Sequence, residues 1–130
     1  MIENKKILLV EDDPDQILIY QSKFELEGFF LIVADNIRRT MDFALNDKPD
    51  LILLDLLLKD ENGLDILAKL KQNSKTKKIP VIVFTNFDTE KSQDKAIELG
   101  AIDYIVKAKV TPSEIVKKVR RIIEQNNEDV

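Results

Sequence analysis

The sequence predicts an α/β fold in which helices cover both faces of a five-stranded parallel sheet. Five short apolar runs alternate with longer amphipathic stretches along 130 residues, which is the length of one ordinary domain. Each run is apolar on both sides of the strand period, as buried parallel strands are, and strict alternation of strands with helices favours parallel pairing. The predicted strands are Ile7–Val10, Phe29–Val33, Leu51–Leu54, Pro80–Phe84 and Ala101–Val106.

The stretches between these runs predict five helices. Asp13 is an acidic cap before Pro14 at the first helical position, and Thr111 opens a last helix with a regular apolar stripe. The fourth helix, roughly Thr89–Leu99, has apolar residues only near its end, so we expect it to be loosely held. We also expect one domain over residues 1–130, with a core at about 5–124, a frayed polar tail over 125–130 and no output domain.

The composition excludes several kinds of chemistry. The chain has no Cys and no His, so disulfides, thiolate and imidazole metal sites, and a phosphohistidine on this chain are excluded. A net charge of −4, with both signs interspersed, argues against a nucleic-acid partner. The polar start is unlike a signal peptide, and the longest apolar run is too short to span a membrane. We therefore expect a cytoplasmic protein without a nucleic-acid or membrane partner.

Polar residues follow four of the predicted strands. Glu11 and Asp12 follow the first strand, Asp55 the third, Thr85 the fourth and Lys107 the fifth. The working sites of open parallel sheets lie at the carboxyl ends of the strands, so we expect these residues to meet at one edge. Asp55 is the strongest candidate, because it interrupts a run of leucine and isoleucine and is costly to bury unless its charge is compensated.

Each of these residues also has an ordinary structural explanation. An acidic turn commonly caps a helix, Thr85 could be a β-branched strand end, and Lys107 could be a surface charge. Four such coincidences at one edge are harder to explain than one functional cluster. Crowded carboxylates need a cation at neutral pH, and oxygen ligands select a hard ion such as Mg²⁺, which can bring a phosphoryl donor to Asp55.

Four segments resemble the receiver domain of two-component response regulators, and the likeness spans nearly the whole chain. The resemblance implies a flavodoxin-like sheet with strand order 2-1-3-4-5, doubly wound with five helices. It also implies a stand-alone, cytoplasmic signalling protein rather than an enzyme acting on a separate substrate. The segments are Ile7–Pro14, Leu53–Leu58 with Gly63 after it, Val81–Thr85 and Gly100–Lys107.

The resemblance also implies the role of each residue at the metal site. Asp55 is the phosphoacceptor, and Glu11 and Asp12 are the acid pair that binds Mg²⁺. Asp12 and Asp55 are the direct metal ligands, and the third protein ligand is the backbone carbonyl of Leu57.

Further residues are implied to bind and report the phosphoryl group. Thr85 and Lys107 bind its oxygen atoms, and Thr85 and Tyr104 form the switch that reports phosphorylation. The implied partners are a histidine kinase or a histidine phosphotransfer protein as donor, and a downstream protein target. The chain is expected to be a monomer or a weak dimer.

The chain departs from the family pattern at three places. Lys59 stands where the family usually has Pro, and Asn86 stands where the residue is usually small. The Lys-Pro pair that normally carries a cis bond is Lys107-Ala108, and a cis bond before a residue other than Pro costs about 3–4 kcal/mol. The Lys107-Ala108 bond is therefore either trans, with a shifted loop, or cis and held by its surroundings.

The side chains at the rim also predict a slow loss of the phosphoryl group. Leu57 and Phe87 are apolar at positions where polar groups would help to place an attacking water. Two alternatives remain at this point. One is a receiver-like binding module that no longer depends on phosphorylation. The other is a phosphatase of the haloacid-dehalogenase type, which normally has a second acid where this chain has Leu57.

Overall fold

A computed structural model describes residues 4–128, in which five strands alternate with five α-helices and a 3₁₀ turn (Lys107–Lys109) follows the last strand. The strands are β1 (Lys6–Val10), β2 (Phe30–Ala34), β3 (Leu51–Leu54), β4 (Val81–Thr85) and β5 (Asp103–Val106). The helices are α1 (Pro14–Leu26), α2 (Ile37–Asn46), α3 (Gly63–Gln72), α4 (Glu90–Glu98) and α5 (Pro112–Glu128).

All five strands are parallel and lie in the order β2-β1-β3-β4-β5, which confirms the predicted sheet. The order reverses between β1 and β3, where Val10 pairs with Leu54, so the residues after these two strands lie side by side. At the other side of the sheet, Thr85 pairs with Val106, so Lys107 follows directly beside the end of β4. The register alone therefore gathers the predicted site residues at one edge.

Helices pack on both faces of the sheet and bury two separate apolar layers. On one face α1 and α5 contribute aromatic and β-branched side chains, among them Phe24 and Val119, to a layer that contains alternate residues of the strands. On the other face α2, α3 and α4 cover the remaining strand residues. Because all four residues of β3 are fully buried between these layers, the sheet holds the carboxyl end of β3 rigidly.

The predicted strands agree with the observed ones to within two residues at each end. The predicted polar tail over 125–130 overlaps the end of α5, which continues to Glu128. Once an apolar stripe anchors a helix, each added residue gains a backbone hydrogen bond, and Glu and Gln are good helix formers. Residues 129 and 130 lie outside the described residues. Among residues 4–128, no helix is both long and apolar enough to cross a bilayer.

Candidate functional site

The predicted site residues meet at the carboxyl edge of the sheet. Four of them are almost fully buried: Glu11 is 1% exposed, Asp55 5%, Thr85 0% and Lys107 6%. Three buried charged groups are stable only if their charges compensate one another. The contacts between them therefore decide what this edge can do.

Lys107 lies at the centre of the site. Its Nζ donates to Asp55 Oδ2 at 2.8 Å and also to Glu11 Oε1 and Gln16 Oε1, so all three hydrogens of the ammonium have an acceptor. Burial opposes the charge, but the hydrogen bonds to Asp55 and Glu11 outweigh it and raise the pKa of Lys107 above its usual value. Lys107 is therefore a permanent cation at neutral pH, held against Asp55.

Glu11 accepts hydrogen bonds from the backbone of the next two residues in the chain. Its Oε2 accepts hydrogen bonds from the backbone N–H groups of Asp12 and Asp13, at 3.0 and 3.2 Å, while its Oε1 faces Lys107. Burial raises the pKa of the Glu11 carboxyl even though Lys107 lies beside it. Both oxygen atoms of Glu11 are thus already engaged, and the residue fixes the turn after β1.

Asp12 and Asp13 have different surroundings. Asp13 Oδ1 accepts from the N–H groups of Asp15 and Gln16, so this residue caps α1, as its place before Pro14 suggests. Asp12 is half-buried, and its Oδ2 accepts from the backbone N–H of Lys59 at 2.6 Å. Asp12 therefore faces the loop after β3, on the side of Asp55.

Asp55 is fixed on both of its oxygen atoms. Oδ1 accepts from the backbone N–H of Leu57 at 3.0 Å, and Oδ2 accepts from Lys107. Gly63 packs against the same segment, since a Cβ on Gly63 would lie 2.5 Å from the Asp55 carbonyl oxygen. Leu56 and Leu58 are buried and Leu57 is 53% exposed, so the backbone at the site is anchored while the Leu57 side chain points outward.

The donor set at this edge suits a hard cation. Three acidic side chains (Glu11, Asp12 and Asp55) follow the strands at this edge, and the one ammonium of Lys107 pairs with two of them, Glu11 and Asp55. Across residues 4–128 no three acidic side chains are grouped so that they could hold a metal ion by themselves. Asp12 and Asp55 follow neighbouring strands at this edge, and one or two carboxylates with waters are what Mg²⁺ typically takes.

Thr85 and Tyr104 are connected through the loop between β4 and α4. Thr85 Oγ1 accepts from the backbone N–H of Phe87 at 3.2 Å. The Tyr104 hydroxyl lies within hydrogen-bond distance of the Phe87 carbonyl oxygen and of Ser92 Oγ, the latter at 3.2 Å. A displacement of the Thr85 hydroxyl would therefore move or release the backbone of Phe87, whose carbonyl oxygen is hydrogen-bonded to Tyr104.

The three departures from the family pattern take part in two hydrogen bonds from backbone N–H groups beside the site. Throughout residues 4–128 every peptide bond is trans, which settles the alternatives for Lys107-Ala108. The N–H of Ala108 donates to Asn86 Oδ1 at 2.8 Å, and the N–H of Lys59 donates to Asp12. Proline has no N–H, so both replacements supply a donor that the structure uses.

Two of these contacts, those of Gln16 and Asn86, could not be predicted from the sequence. Gln16 lies on α1, far along the chain from Lys107, and a single polar residue in an amphipathic helix carries no signal of its own. Asn86 was noted only because the family usually has a small residue there. Its contact with Ala108 exists because β4 and β5 end side by side.

Known proteins resemble this chain over nearly its whole length. Residues 7–120 match the family model described as the response regulator receiver domain. The chain is 37% identical over 122 residues to the transcriptional regulatory protein CpxR of Escherichia coli (strain K12), which is 94% of this chain and 50% of CpxR. The chain thus spans about half the length of the curated relatives it matches.

Two solved structures with the same fold are described as BeF₃-activated or Mn²⁺-bound. The BeF₃-activated N-terminal receiver domain of Klebsiella pneumoniae RstA is 26% identical, with a TM-score of 0.83 over 92% of this chain and 98% of that one. The Mn²⁺-bound form of the response regulator Rcp1 is 31% identical, with a TM-score of 0.75 over 91% of each chain.

These relatives correct one prediction. The expectation of no nucleic-acid partner is wrong as an inference from net charge, because relatives at 31–37% identity are transcriptional regulatory proteins. The charge of a receiver domain reports on its own surface and does not decide what a protein that contains it regulates. The family itself is established by a model that matches most of the chain, by the sheet order and by the residues gathered at its edge. The chain belongs to the response regulator receiver domain family.

Proposed function

We propose that this protein is a signalling switch that accepts a phosphoryl group on Asp55 from a phosphohistidine of another protein, in a reaction that depends on Mg²⁺. The observation that carries the proposal is the buried contact between Lys107 Nζ and Asp55 Oδ2, 2.8 Å apart. A buried carboxylate with a fixed cation beside it, at an edge where a second carboxylate could help to hold Mg²⁺, suits the transfer of an anionic group onto that carboxylate.

The transfer exchanges one bond to phosphorus for another. A carboxylate oxygen of Asp55 forms a new bond to phosphorus, and the bond between phosphorus and the donor imidazole nitrogen breaks. The imidazole leaves as a neutral ring when its other nitrogen carries a proton. Lys107 would neutralise an oxygen of the transferred group, and the Thr85 hydroxyl would donate to another. Mg²⁺, held by Asp12 and Asp55, would neutralise further charge on the same group.

The donor histidine lies outside these 130 residues, because they contain no His. A histidine kinase or a histidine phosphotransfer protein supplies the phosphohistidine. The chemistry of this chain is then limited to its own phosphorylation and to the slow loss of the phosphoryl group. The signal would pass from Thr85 through Phe87 to Tyr104 and α4, along the hydrogen bonds described above.

Acetyl phosphate tests the proposal without a protein donor. Incubation with acetyl phosphate and Mg²⁺ should add one phosphoryl group, as measured by intact-protein mass spectrometry, and chelation of Mg²⁺ should prevent the addition. Asp55→Ala should remain unlabelled, whereas the exposed Asp42→Ala is a matched control that should label like the wild type. Labelling of Asp55→Ala, or no labelling of the wild type, would contradict the proposal; the latter result would favour a binding module independent of phosphorylation.

The rim predicts how long the phosphoryl group remains. Leu57 and Phe87 are 53% and 41% exposed, so both apolar side chains lie at the surface, where an attacking water would enter. We expect the double variant Leu57→Asn, Phe87→Glu to lose its phosphoryl group faster than the wild type. The rate follows from the loss of the phosphorylated mass after acetyl phosphate is removed, and an unchanged rate would contradict this part of the proposal.

A further inference from the structure

Two loops meet beside the site, one after β4 and one after β5. The strand ladder between β4 and β5 ends at the pair Thr85 and Val106. One residue beyond the ladder, Asn86 Oδ1 accepts a hydrogen bond from the backbone N–H of Ala108 at 2.8 Å. The side chain of Asn86 thus continues the connection between the two strands past the end of the sheet.

Other contacts join the same two segments, but they act at different points. Lys109 Nζ lies 3.2 Å from Asp88 Oδ2, and both side chains are well exposed, so this ion pair is weak. Tyr104 contacts the Phe87 carbonyl from within β5. The bond from Asn86 differs from both, because it holds the backbone immediately after Lys107.

The position of that backbone matters for Lys107. A lysine side chain has four rotatable methylene groups, so its ammonium is placed accurately only if both ends are held. At its tip, Nζ is held by Asp55, Glu11 and Gln16. At its base, the Lys107 carbonyl accepts from the N–H of Val110 at 3.3 Å, which closes the short 3₁₀ turn. The Asn86 bond ties the backbone of this turn to the residue that directly follows β4.

We propose that Asn86 is a positioning residue for phosphorylation: its amide oxygen holds the Ala108 N–H, which fixes the loop that carries Lys107. Since Asn86 directly follows Thr85, the same bond couples the two residues proposed to bind the phosphoryl group. This inference rests on the proposed function of Asp55. It accounts for the exposed side chain of Asn86 at a place where a small residue would leave the Ala108 N–H to water.

Beryllofluoride, a mimic of the phosphoryl group, provides the test, with bound fluoride measured by ¹⁹F NMR in the presence of Mg²⁺. Asn86→Ala should weaken beryllofluoride binding by about twofold to tenfold, the range of one neutral hydrogen bond. Ala108→Pro removes the donor of the same bond. In that background, Asn86→Ala should have no further effect, because no N–H remains to be held.

Two controls separate positioning from stability. Asn46 is an exposed Asn far along the chain, and Asn46→Ala should bind beryllofluoride like the wild type. Thermal unfolding of Asn86→Ala should stay close to that of the wild type. If Ala108→Pro does not fold, hydrogen exchange of the Ala108 amide replaces the comparison of the two backgrounds. Exchange of this amide should be slower in the wild type than in Asn86→Ala.

The outcomes distinguish this inference from the proposed function. Wild-type binding together with an equal effect of Asn86→Ala in both backgrounds would contradict the positioning role alone. Unchanged exchange of the Ala108 amide in Asn86→Ala would contradict it as well. A wild type that binds no beryllofluoride would contradict the proposed function, and the positioning role with it.

Discussion

The helices α4 and α5 both follow strands of the site, yet they are held in different ways. The buried residues of α4 are Ser92 and Ala96, two small side chains, whereas Ile97 is 50% exposed. α5 buries a stripe of four β-branched residues against the sheet and α1: Ile115, Val116, Val119 and Ile123. α4 thus buries only two small side chains, whereas α5 buries a stripe of large ones along its inner face.

Each helix has further attachments that extend this contrast. Arg120 of α5 donates to the Glu27 carbonyl at 3.1 Å and lies over the ring of Phe29, which ties α5 to the end of α1. α4 is contacted at Ser92 by the hydroxyl of Tyr104, whose other contact is the loop after Thr85. The weakly packed helix is thus the one connected to the site, and the strongly packed helix serves as a fixed support.

The largest expected difference between the two helices is in stability. Ile123→Ala in α5 should lower the free energy of unfolding by about 2–5 kcal/mol, because it opens a cavity in a buried layer. Ile97→Ala in α4 should change it by about 0.5 kcal/mol or less, since this side chain is half exposed. Urea denaturation measures both losses, and equal losses would contradict the difference in packing between the two helices.

The helix caps allow a matched test of the same contrast. Thr89 Oγ1 accepts from Ser92 N at 3.1 Å, and Thr111 Oγ1 accepts from Glu114 N at 3.1 Å. Loss of either cap, by Thr89→Ala or Thr111→Ala, should cost about 1 kcal/mol. The local response should differ, because α5 keeps its apolar stripe.

Hydrogen exchange followed by mass spectrometry measures that local response. Exchange should become faster throughout α4 in Thr89→Ala, but only in the first turn of α5 in Thr111→Ala. Faster exchange along the whole of α5 would show that its stripe does not hold it independently of its cap.

The smallest expected effect concerns the connection between α4 and the site. Tyr104→Phe removes the hydroxyl that contacts Ser92 and the Phe87 carbonyl, and should cost about 0.5 kcal/mol because Tyr104 is only partly buried. Hydrogen exchange should become faster at the start of α4 and remain unchanged in α5. An unchanged α4 would mean that Tyr104 does not hold this helix.

Much of this arrangement could be predicted from the sequence, because it depends on local patterns. The apolar runs predicted the strands. Because sites lie at the carboxyl ends of parallel strands, Glu11, Asp55 and Lys107 were predicted to lie close together. The thin apolar content of α4 predicted its weak packing, which the structure confirms with only small buried side chains.

Contacts between distant side chains could not be predicted in this way. Gln16 reaches Lys107 across 91 residues, and Asn86 reaches Ala108 across 22, so both depend on the final register of the elements. The tail shows a different limit, since polarity alone suggested fraying where backbone hydrogen bonds continue the helix. Sequence patterns locate elements and strand ends, whereas the partners of single polar side chains follow from the packed structure.

The central claim, that Asp55 carries the phosphoryl group, is tested most directly by chemical marking of the acyl phosphate. Borohydride reduces a phosphorylated aspartate to homoserine, which tandem mass spectrometry identifies at a single position. After treatment with acetyl phosphate and Mg²⁺, we expect homoserine at position 55 and unmodified aspartate at positions 12 and 13. Homoserine at position 12 or 13, or none in the chain, would contradict the account.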